Sequence, residues 1–324
     1  MEKDLLAIQR PIEKELGQFE VYFRDAMKSQ VSLLDRITYY IVKRKGKQIR
    51  PMFVFFSANL VDEIQPATYT AAALVEIIHT ATLVHDDVVD DSMQRRGFFS
   101  INALWKNKIA VLVGDYLFAK GLDISIQEKQ YEILSILNHA IKELSEGELL
   151  QIEKARKLDI TEQVYYDIIR QKTASLIAAS CAAGVASVTK DPAVIARVKQ
   201  IGEWIGMAFQ IKDDLFDYGE ASIGKPTGID IKEKKMTLPL IYTLQNAGRG
   251  LKREIMDTMR NHSDDRRKVK EVIEAVRSNG GLEYSTRIMQ EYADKAKNEL
   301  LTFPDSMARA SLAALIDFTI NRKL

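Results

Sequence analysis

The 324-residue chain has a single cysteine, Cys181, so it cannot form an internal disulfide bond. A lone cysteine fits a reducing cytosol, and the alanines and serines around Cys181 predict that its side chain packs rather than reacts. The formal net charge is only +1, which excludes an overall electrostatic attraction to nucleic acid or to anionic lipid. Any function that depends on charge must therefore be local.

Long apolar runs are also missing. No uncharged stretch reaches the roughly 18–20 residues that a membrane-spanning helix requires, and no secretory signal follows Met1. No Walker loop or dinucleotide fingerprint appears, so nucleotide phosphates are not the expected ligand. Hydrophobic residues make up 46% and charged residues 28%, as in an ordinary globular protein. We expect a cytoplasmic protein with no membrane span and no nucleic-acid partner.

Apolar residues recur at helical spacing along most of the chain, and neither an alternating strand pattern nor a 20–50-residue repeat is visible. We predict an all-α protein, a single domain over residues 1–324 built as a bundle of ten or more helices. The most apolar stretch predicts a buried central helix over 68–91. The longest loop is expected over 218–236, and a loop of this length is typical of a functional lid.

Two carboxylate clusters stand at the polar ends of apolar helical stretches. They comprise Asp86, Asp87 and Asp90 in the first and Asp213, Asp214 and Asp217 in the second. Spacings of three and four residues place such side chains on one side of a helix, where like charges repel unless water or a cation lies between them. Two clusters of this kind suggest two carboxylate walls that face across one site.

Carboxylates without suitable histidine or cysteine companions select hard cations, so we expect Mg²⁺, with Mn²⁺ as an alternative, rather than zinc. His79 and His85 are six residues apart, not the four of a helical zinc pair. Mg²⁺ is commonly held by one or two carboxylates together with the phosphates of a substrate. Two such walls therefore imply a phosphorylated substrate between them.

Basic residues near the clusters supply the charge that such a substrate needs. They are Lys47, Arg50, Arg95, Arg96, Lys172, Lys225 and Lys235. Taken alone, the basic segment 43–51 is more typical of a solvated surface loop. Together with an apolar helix that runs away beneath the carboxylates, these residues predict a charged mouth above an apolar shaft. A diphosphate with a hydrocarbon tail requires a site of this shape.

The order and spacing of these motifs resemble the trans-isoprenyl diphosphate synthases of the polyprenyl synthetase family, nearly end to end. The matching segments are Asp86-Asp87-x-x-Asp90 with Arg95-Arg96-Gly97, Gly114-Asp115, Lys172-Thr173, Phe209-Gln210 before Asp213-Asp214-x-x-Asp217, Gly224-Lys225-Pro226-x-Gly228-x-Asp230, and Lys235-x-Thr-Leu-Pro239. Three positions depart from the usual pattern: Lys45 replaces a glycine, Gln48 an arginine and Lys234 a glycine. The resemblance implies an isoprenoid synthase bundle with a central cavity.

The resemblance also implies roles for the matched residues. Mg²⁺ that bridges the allylic diphosphate would be held by Asp86, Asp87, Asp90, Asp213, Asp214 and Asp217. That diphosphate would be bound by Arg95, Lys172 and Lys235, with a contribution from Lys225. The diphosphate of isopentenyl diphosphate would be bound by Lys47, Arg50, His79 and Arg96. The expected catalytic residues are Asp86, Asp87, Asp90, Lys172, Thr173, Gln210 and Asp213, with Thr173 and Gln210 near the developing allylic cation.

The implied activity is that of a prenyltransferase of isoprenoid biosynthesis. The allylic C–O bond ionises, the isopentenyl double bond attacks, and a proton is lost to the departing diphosphate. Metals and cations in a dry cavity stabilise the leaving group, and no protein nucleophile is required. Members of the family are commonly homodimers, and we expect the same of this chain. We expect any membrane contact to be peripheral and to accompany product release.

Small residues near the first acidic cluster bear on product length. In this family, bulky side chains four and five positions before that cluster stop growth at short products, whereas this chain has Thr82 and Ala81 there. Glu148 also resembles the long-chain branch, since short-chain members tend to carry glutamine at that position. We expect a long all-trans polyprenyl diphosphate of about C30 to C50, such as a quinone side-chain precursor.

Three alternatives of different kinds remain at this point. A short-chain synthase would make farnesyl or geranylgeranyl diphosphate and would need a bulky floor deeper in the shaft. A class I terpene cyclase shares an acidic first motif but lacks the set formed by Lys47, Arg50 and His79. A non-catalytic subunit of a heteromeric synthase would be expected to have lost one of the acidic motifs, and both are intact.

Overall fold

The computed structural model describes residues 2–44, 46–95, 97–219 and 227–322, and in these ranges the chain is almost entirely helical, which confirms the all-α prediction. The helices are α1 (Glu2–Gln9), α2 (Glu13–Ala26), α3 (Ser32–Lys43), α4 (Ile49–Asn59), α5 (Pro66–Val89), α6 (Ile101–Gln127), α7 (Tyr131–Lys157), α8 (Glu162–Ile169), α9 (Ser175–Ala186), α10 (Pro192–Phe216), α11 (Ile229–Lys232), α12 (Leu238–Asn246), α13 (Arg249–Asn261), α14 (Arg266–Ser278), α15 (Gly281–Leu300) and α16 (Met307–Asn321). The prediction of one domain over residues 1–324 stays a prediction.

The central helix is α5, as the apolar stretch predicts. It begins with Pro66 in its first turn, where a missing N–H costs nothing, and Gln65 and Thr68 form a capping box. It packs against α2, α4, α6 and α9. By length and composition alone α5 passes the test for a membrane span, but 72% of the tested window is buried inside the protein, as expected of a core helix.

The alanine- and serine-rich segment around Cys181 forms α9, which is buried along its whole length. A Cβ on Gly184 would lie 2.2 Å from the carbonyl oxygen of Val54, so glycine lets α9 approach α4 closely. The thiol of Cys181 is fully buried, and burial raises its pKa to about 12. The cysteine is therefore packed and unreactive, in line with the prediction.

Three local features differ from the expectations. The spacing of apolar residues over 4–42 predicts two amphipathic helices, but the structure has three, because a 3₁₀ turn (Arg10–Ile12) around Pro11 separates α1 from α2. The loop after α5 contains a minimal antiparallel pair, β1 (Gln94–Arg95) and β2 (Phe98–Phe99). The predicted loop 218–236 contains α11. Two-residue strands and a four-residue helix are too short to produce a periodic pattern.

Candidate active site

The first acidic cluster lies at the end of α5, where the β1–β2 hairpin folds back against it. Asp87 is buried, and Arg95 on β1 donates two hydrogen bonds to its Oδ1, at 2.8 Å from Nε and 2.6 Å from Nη2. Burial raises the pKa of Asp87, and the guanidinium of Arg95 opposes that rise. The hairpin therefore holds Arg95 at the acidic wall, where the resemblance assigns it to a diphosphate.

Asp86 faces α7 rather than the hairpin. Burial raises its pKa to about 6, the Glu148 carboxylate adds to the rise, and the Lys172 ammonium opposes it. Lys172 pairs with Glu148 at 2.5 Å and donates to Gln151 Oε1 at 3.1 Å. The structure thus adds Glu148 and Gln151 to the site, although the sequence suggested Glu148 only as a marker of product length.

The second acidic cluster lies at the end of α10, and Asp214 is its most buried member. Tyr165 donates to Asp214 Oδ2 at 2.6 Å, and Gln210 Nε2 donates to Oδ1 at 2.9 Å. The Thr173 hydroxyl donates to Gln210 Oε1 at 2.7 Å. Burial raises the pKa of Asp214 to about 7. This chain of hydrogen bonds fixes Gln210 and Thr173 side by side, as their shared predicted role requires.

Asp217 turns toward α11. Its Oδ1 accepts from the backbone N–H of Ile229 at 2.9 Å, and its Oδ2 accepts from that of Asp230 at 3.2 Å. Burial raises the pKa of Asp230 to about 8, and repulsion from Asp214 and Asp217 adds to this rise. Asp230 therefore joins the second wall. No role was predicted for Asp230 from the sequence, although its place in the motif Gly228-x-Asp230 was the available signal.

Asp213 contacts the carboxyl-terminal segment. The Arg322 guanidinium pairs with Asp213 and lies 3.9 Å above the Phe209 ring centroid. Arg322 is also missing from the predicted set. Nothing in its local sequence connects the end of α16 with an acidic cluster on α10, so only the packing of these helices reveals the pair.

Lys235 connects the two walls. Burial lowers its pKa, but the carboxylates of Glu233, Asp230 and Asp90 raise it more, and the net shift is upward. A cavity of about 110 Å³ collects residues of this region, including Gln151, Tyr165, Lys172, Thr173, Gln210, Asp214, Asp230 and Lys235. Asp214 and Asp230 of the second wall therefore meet the two lysines and the Thr173–Gln210 pair in one cleft, whereas Asp213 and Asp217 do not line it.

Lys172 and Thr173 lie on a π-helical turn, Arg170–Ala174, between α8 and α9. Such turns occur frequently at functional sites. Glycines on both sides let neighbouring helices approach it: a Cβ on Gly147 would lie 2.7 Å from Gln171 Cβ, and one on Gly206 would lie 2.4 Å from Ala174 Cα. The turn is thus clamped between α7 and α10.

The Gly206→Ala variant is expected to lose about 1–3 kcal/mol of unfolding free energy, the usual cost of overpacking. Because the neighbouring atom belongs to the backbone of the π turn, the added methyl must also move Lys172 and Thr173 and lower turnover. Urea denaturation and a prenyl-elongation assay measure the two effects. Gly250→Ala is the control, since a Cβ there meets nothing within 4 Å. Equal stability and equal turnover in the two variants would contradict the conclusion that close packing at Gly206 holds the π turn in place.

The residues that the resemblance assigns to isopentenyl diphosphate lie on α4, α5 and the segment before α4. Arg50 Nη1 is 2.9 Å from His79 Nε2. Lys47 is exposed, 5.7 Å from the Phe318 ring centroid. Gln48 caps α4 in the left-handed region, with φ of +53°. Gln48, where the family usually has an arginine, therefore lies just before α4, and Arg50 lies in the first turn of that helix.

Several predicted residues remain apart from the cleft or lie outside the described residues. Ala81 and Thr82 are buried in α5, and Thr82 donates to the His79 carbonyl at 2.8 Å. Arg96, Lys225 and Lys45 lie outside the described residues. Lys234 adopts φ of +58°, the left-handed region in which glycine is common, and its Nζ donates to the Arg260 carbonyl at 3.0 Å.

His85, which directly precedes the first acidic cluster, packs over α6. A Cβ on Gly114 would lie 2.1 Å from its Nε2, and Asp115 Oδ1 is 3.5 Å away. The Gly114-Asp115 pair of the sequence motif therefore makes room for this ring and gives it a carboxylate partner.

The donor set suits a hard divalent cation held jointly with a substrate. Among the described residues, no three acidic, histidine or cysteine side chains converge as a ready-made metal site. Asp86, Asp214 and Asp230 are nevertheless carboxylates with raised pKa values that repel their neighbours, and Asp214 is buried. Oxygen donors spread in this way fit Mg²⁺, which keeps some ligands from substrate phosphates.

Comparison with known proteins gives matches along most of the chain. A family model described as polyprenyl synthetase matches residues 31–276. Octaprenyl diphosphate synthase of Escherichia coli is 37% identical over 303 residues, 92% of this chain and 93% of that protein. A short chain isoprenyl diphosphate synthase of Methanothermobacter thermautotrophicus is 35% identical over 294 residues, 89% of this chain and 90% of that protein.

Solved structures are similar over the same extent. Polyprenyl synthase from Caulobacter crescentus CB15, complexed with calcium and isoprenyl diphosphate, superposes with a TM-score of 0.91 at 32% identity. The superposition covers 99% of this chain and 98% of that one. The two curated relatives carry names of long-chain and short-chain enzymes, so similarity leaves the length of the product open.

Proposed function

The chain belongs to the polyprenyl synthetase family and is a trans-prenyl diphosphate synthase, and we propose that it condenses isopentenyl diphosphate with an allylic diphosphate to make a long all-trans polyprenyl diphosphate of about C30 to C50. The observation that carries the proposal is that Lys172 and Lys235 line one cleft with Asp214 and also interact with Asp86 and Asp90 of the first wall. A quinone side chain is the proposed destination of the product.

The allylic diphosphate would bind between the walls. Three cationic side chains would neutralise the diphosphate: Lys172 beside Asp86, Lys235 beside Asp90 and Arg95 beside Asp87. Lysine and arginine are the side chains suited to that task. Mg²⁺, proposed to bind Asp86, Asp87, Asp90, Asp213, Asp214, Asp217 and Asp230, would stabilise the departing diphosphate as a Lewis acid. Lys225, which lies outside the described residues, is also proposed to contribute to binding of the allylic diphosphate.

Isopentenyl diphosphate would bind on the α4–α5 side, where Lys47, Arg50 and His79 supply cationic and N–H donors, with Arg96 as the fourth proposed contact. Thr173 and Gln210 would direct their oxygen atoms at the positive charge that develops when the allylic C–O bond ionises. The isopentenyl double bond then attacks, and the proton lost from the new chain passes to the departing diphosphate. The protein orients both substrates and excludes water.

Long products are proposed because the residues below the first wall are small. Ala81 and Thr82 lie on the buried side of α5, and Glu148 pairs with Lys172 in the cleft. A short-chain synthase is the competing proposal, since a relative of that description is 35% identical to the chain, against 37% for the long-chain relative, over a similar length.

We also propose that two copies of the chain associate through α6. Beyond the kink at Lys106, α6 exposes four large apolar side chains: Val111, Leu112, Leu122 and Ile126. Their spacing places them within an arc of about 100° on the helix. Contiguous exposed apolar patches of this kind mark interaction sites. Light scattering on purified protein tests the homodimer.

Product analysis tests the proposed function. The protein is incubated with Mg²⁺, farnesyl diphosphate and labelled isopentenyl diphosphate, and the dephosphorylated alcohols are separated by chain length. Products of C30 or longer are expected. Products that stop at C20 would establish the short-chain alternative. A folded protein that elongates no allylic primer would instead support the alternative of a non-catalytic subunit.

The raised pKa values of the proposed metal-binding carboxylates predict that the stability of the protein depends on pH. Burial raises the pKa of Asp86 to about 6, of Asp214 to about 7 and of Asp230 to about 8, above the values of an unfolded chain. The folded state therefore binds more protons, and its stability falls as pH rises through this range. In EDTA, the Tm is expected to be lower near pH 8.5 than near pH 6.

Mg²⁺ is expected to raise the Tm more near pH 8.5 than near pH 6, because cations bind the deprotonated carboxylates. Sodium chloride at matched ionic strength is the control for screening. A larger effect of Mg²⁺ near pH 6 would contradict the metal assignment.

A further inference from the structure

A second cavity, of about 750 Å³, lies beside the catalytic cleft, between α12, α13 and the turn that joins α7 to α8. The apolar part of its lining comprises Leu158, Ile160, Met236, Ile241, Leu244 and Met256. Four basic side chains also line it: Arg249, Lys252, Arg253 and Arg260. We call these four the basic rim. A cavity of this size falls within the range of small-molecule sites.

The basic rim carries positive charge that the protein does not neutralise. All four side chains are exposed, and within the described ranges none of them forms an ion pair or a side-chain hydrogen bond. Asp257 is the one carboxylate among the lining residues. It faces His262 at 3.5 Å and Lys268 at 3.8 Å, both outside the lining set, so its charge is engaged elsewhere. The cavity thus combines an apolar floor with an unbalanced cationic edge.

Two residues connect this cavity with the catalytic cleft. Ile160 and Met236 line both. Met236 directly follows Lys235, the lysine that interacts with carboxylates of both walls. A molecule in the second cavity would therefore contact a wall of the cleft without entering it.

We propose that this cavity binds a free prenyl diphosphate, with its hydrocarbon chain on the apolar floor and its diphosphate at the basic rim, and that the bound molecule lowers turnover through Met236. The assignment rests on the proposed function, because the catalytic cleft handles molecules of this chemistry. The apolar residues are recessed: Ile241 is 2% and Leu244 6% exposed. Recessed side chains suit a single entering chain better than a bilayer surface, which is contacted by protruding ones.

In EDTA the allylic site lacks its cation, and the rim variants then separate the second cavity from the isopentenyl diphosphate site, which is proposed to need no metal. Farnesyl diphosphate is titrated into the protein in EDTA by isothermal calorimetry. We expect one saturable site per chain. The triple variant Arg249→Ser, Lys252→Ser, Arg253→Ser is expected to weaken binding at least tenfold, and Met256→Trp should weaken it by filling the floor. The matched control Arg266→Ser, Arg267→Ser, Lys270→Ser removes as many exposed charges from α14 and should bind normally.

Kinetics supply a second measure. With Mg²⁺, we expect high farnesyl diphosphate to inhibit the unmodified protein, and the rim variant should keep its turnover at low farnesyl diphosphate and lose that inhibition. Equal metal-free affinity in the rim and control variants would overturn the proposal. So would a rim variant that loses binding to phosphatidylglycerol vesicles and keeps farnesyl diphosphate affinity, because the surface would then be a membrane contact.

The failure of this proposal can be separated from failure of the proposed function. A protein that elongates farnesyl diphosphate but binds none of it in EDTA retains its function and lacks the second site. A protein that elongates no primer refutes the function, whatever the calorimetry gives.

Discussion

Replacing Asp86 with asparagine is expected to lower turnover by on the order of a thousandfold or more and to leave the fold intact. Loss of a metal-binding carboxylate removes several kcal/mol of charge stabilisation from the transition state, and each 1.36 kcal/mol is about tenfold in rate. Asp86 sits where this loss should be largest, because its carboxylate interacts with Glu148, Lys172 and Asp90. The same reasoning applies to Asp213→Ala.

The stability of Asp86→Asn separates a catalytic role from a structural one. Burial and the neighbouring carboxylates raise the pKa of Asp86 to about 6, so near pH 8 its charge is unfavourable in the folded, metal-free protein. Removing that charge should leave the Tm in EDTA unchanged or higher, and should reduce the rise in Tm that Mg²⁺ produces. A structural carboxylate would give a lower Tm instead.

The matched control is Asp91→Asn, five residues further along the same acidic segment. Asp91 is exposed and adopts φ of +47°, a conformation that asparagine tolerates. This variant should keep both turnover and the response to Mg²⁺. Near-normal turnover in Asp86→Asn, measured under saturating Mg²⁺ and both diphosphates, would contradict the metal assignment.

The fold was predictable in its main features because they depend on local periodicity. The apolar pattern of α5 predicted a central helix over 68–91, and the structure has Pro66–Val89. Three- and four-residue spacing also predicted that the carboxylates of each cluster share a helix end. Periodicity is a property of neighbouring residues, so it survives without knowledge of how the helices pack.

Contacts between distant elements were not predictable in this way. Tyr165 donates to Asp214, and Arg322 pairs with Asp213, but no spacing rule connects α8 or the end of α16 with α10. The π turn that carries Lys172 depends on Gly147 and Gly206, which belong to two other helices. In each case the packing of helices, rather than the local sequence, decides which groups meet.

Product length depends on such packing, and the α5–α6 contact indicates where to test it. Gly114 faces His85 and Gly121 faces Ile77 and Leu74, so the antiparallel register places Ala81 opposite Leu117. Ala81 lies about 7.5 Å below Asp86 along the helix axis. We propose that the hydrocarbon shaft descends between these helices, and Ala81 is then the residue at which a bulky side chain blocks it.

Ala81→Phe is therefore expected to shift the main product from C30 or longer to C20 or shorter, and Ala81→Leu to give products of intermediate length. Overpacking is expected to cost about 1–3 kcal/mol, so the Tm is measured beside the product profile. The control is Thr80→Phe, which adds the same ring one residue away, toward the cavity lined by Tyr40 and Phe98. That variant should keep the long product.

An unchanged product length in a folded, active Ala81→Phe protein would show that the growing chain does not pass this residue. A shortened product in Thr80→Phe alone would move the shaft to the other side of α5, beneath the Arg95–Asp87 pair that borders that cavity. Shortening by Ala81→Phe and not by Thr80→Phe would place the growing chain between α5 and α6. The small residue at 81 would then account for a long product, because the depth of an open shaft limits the number of condensations.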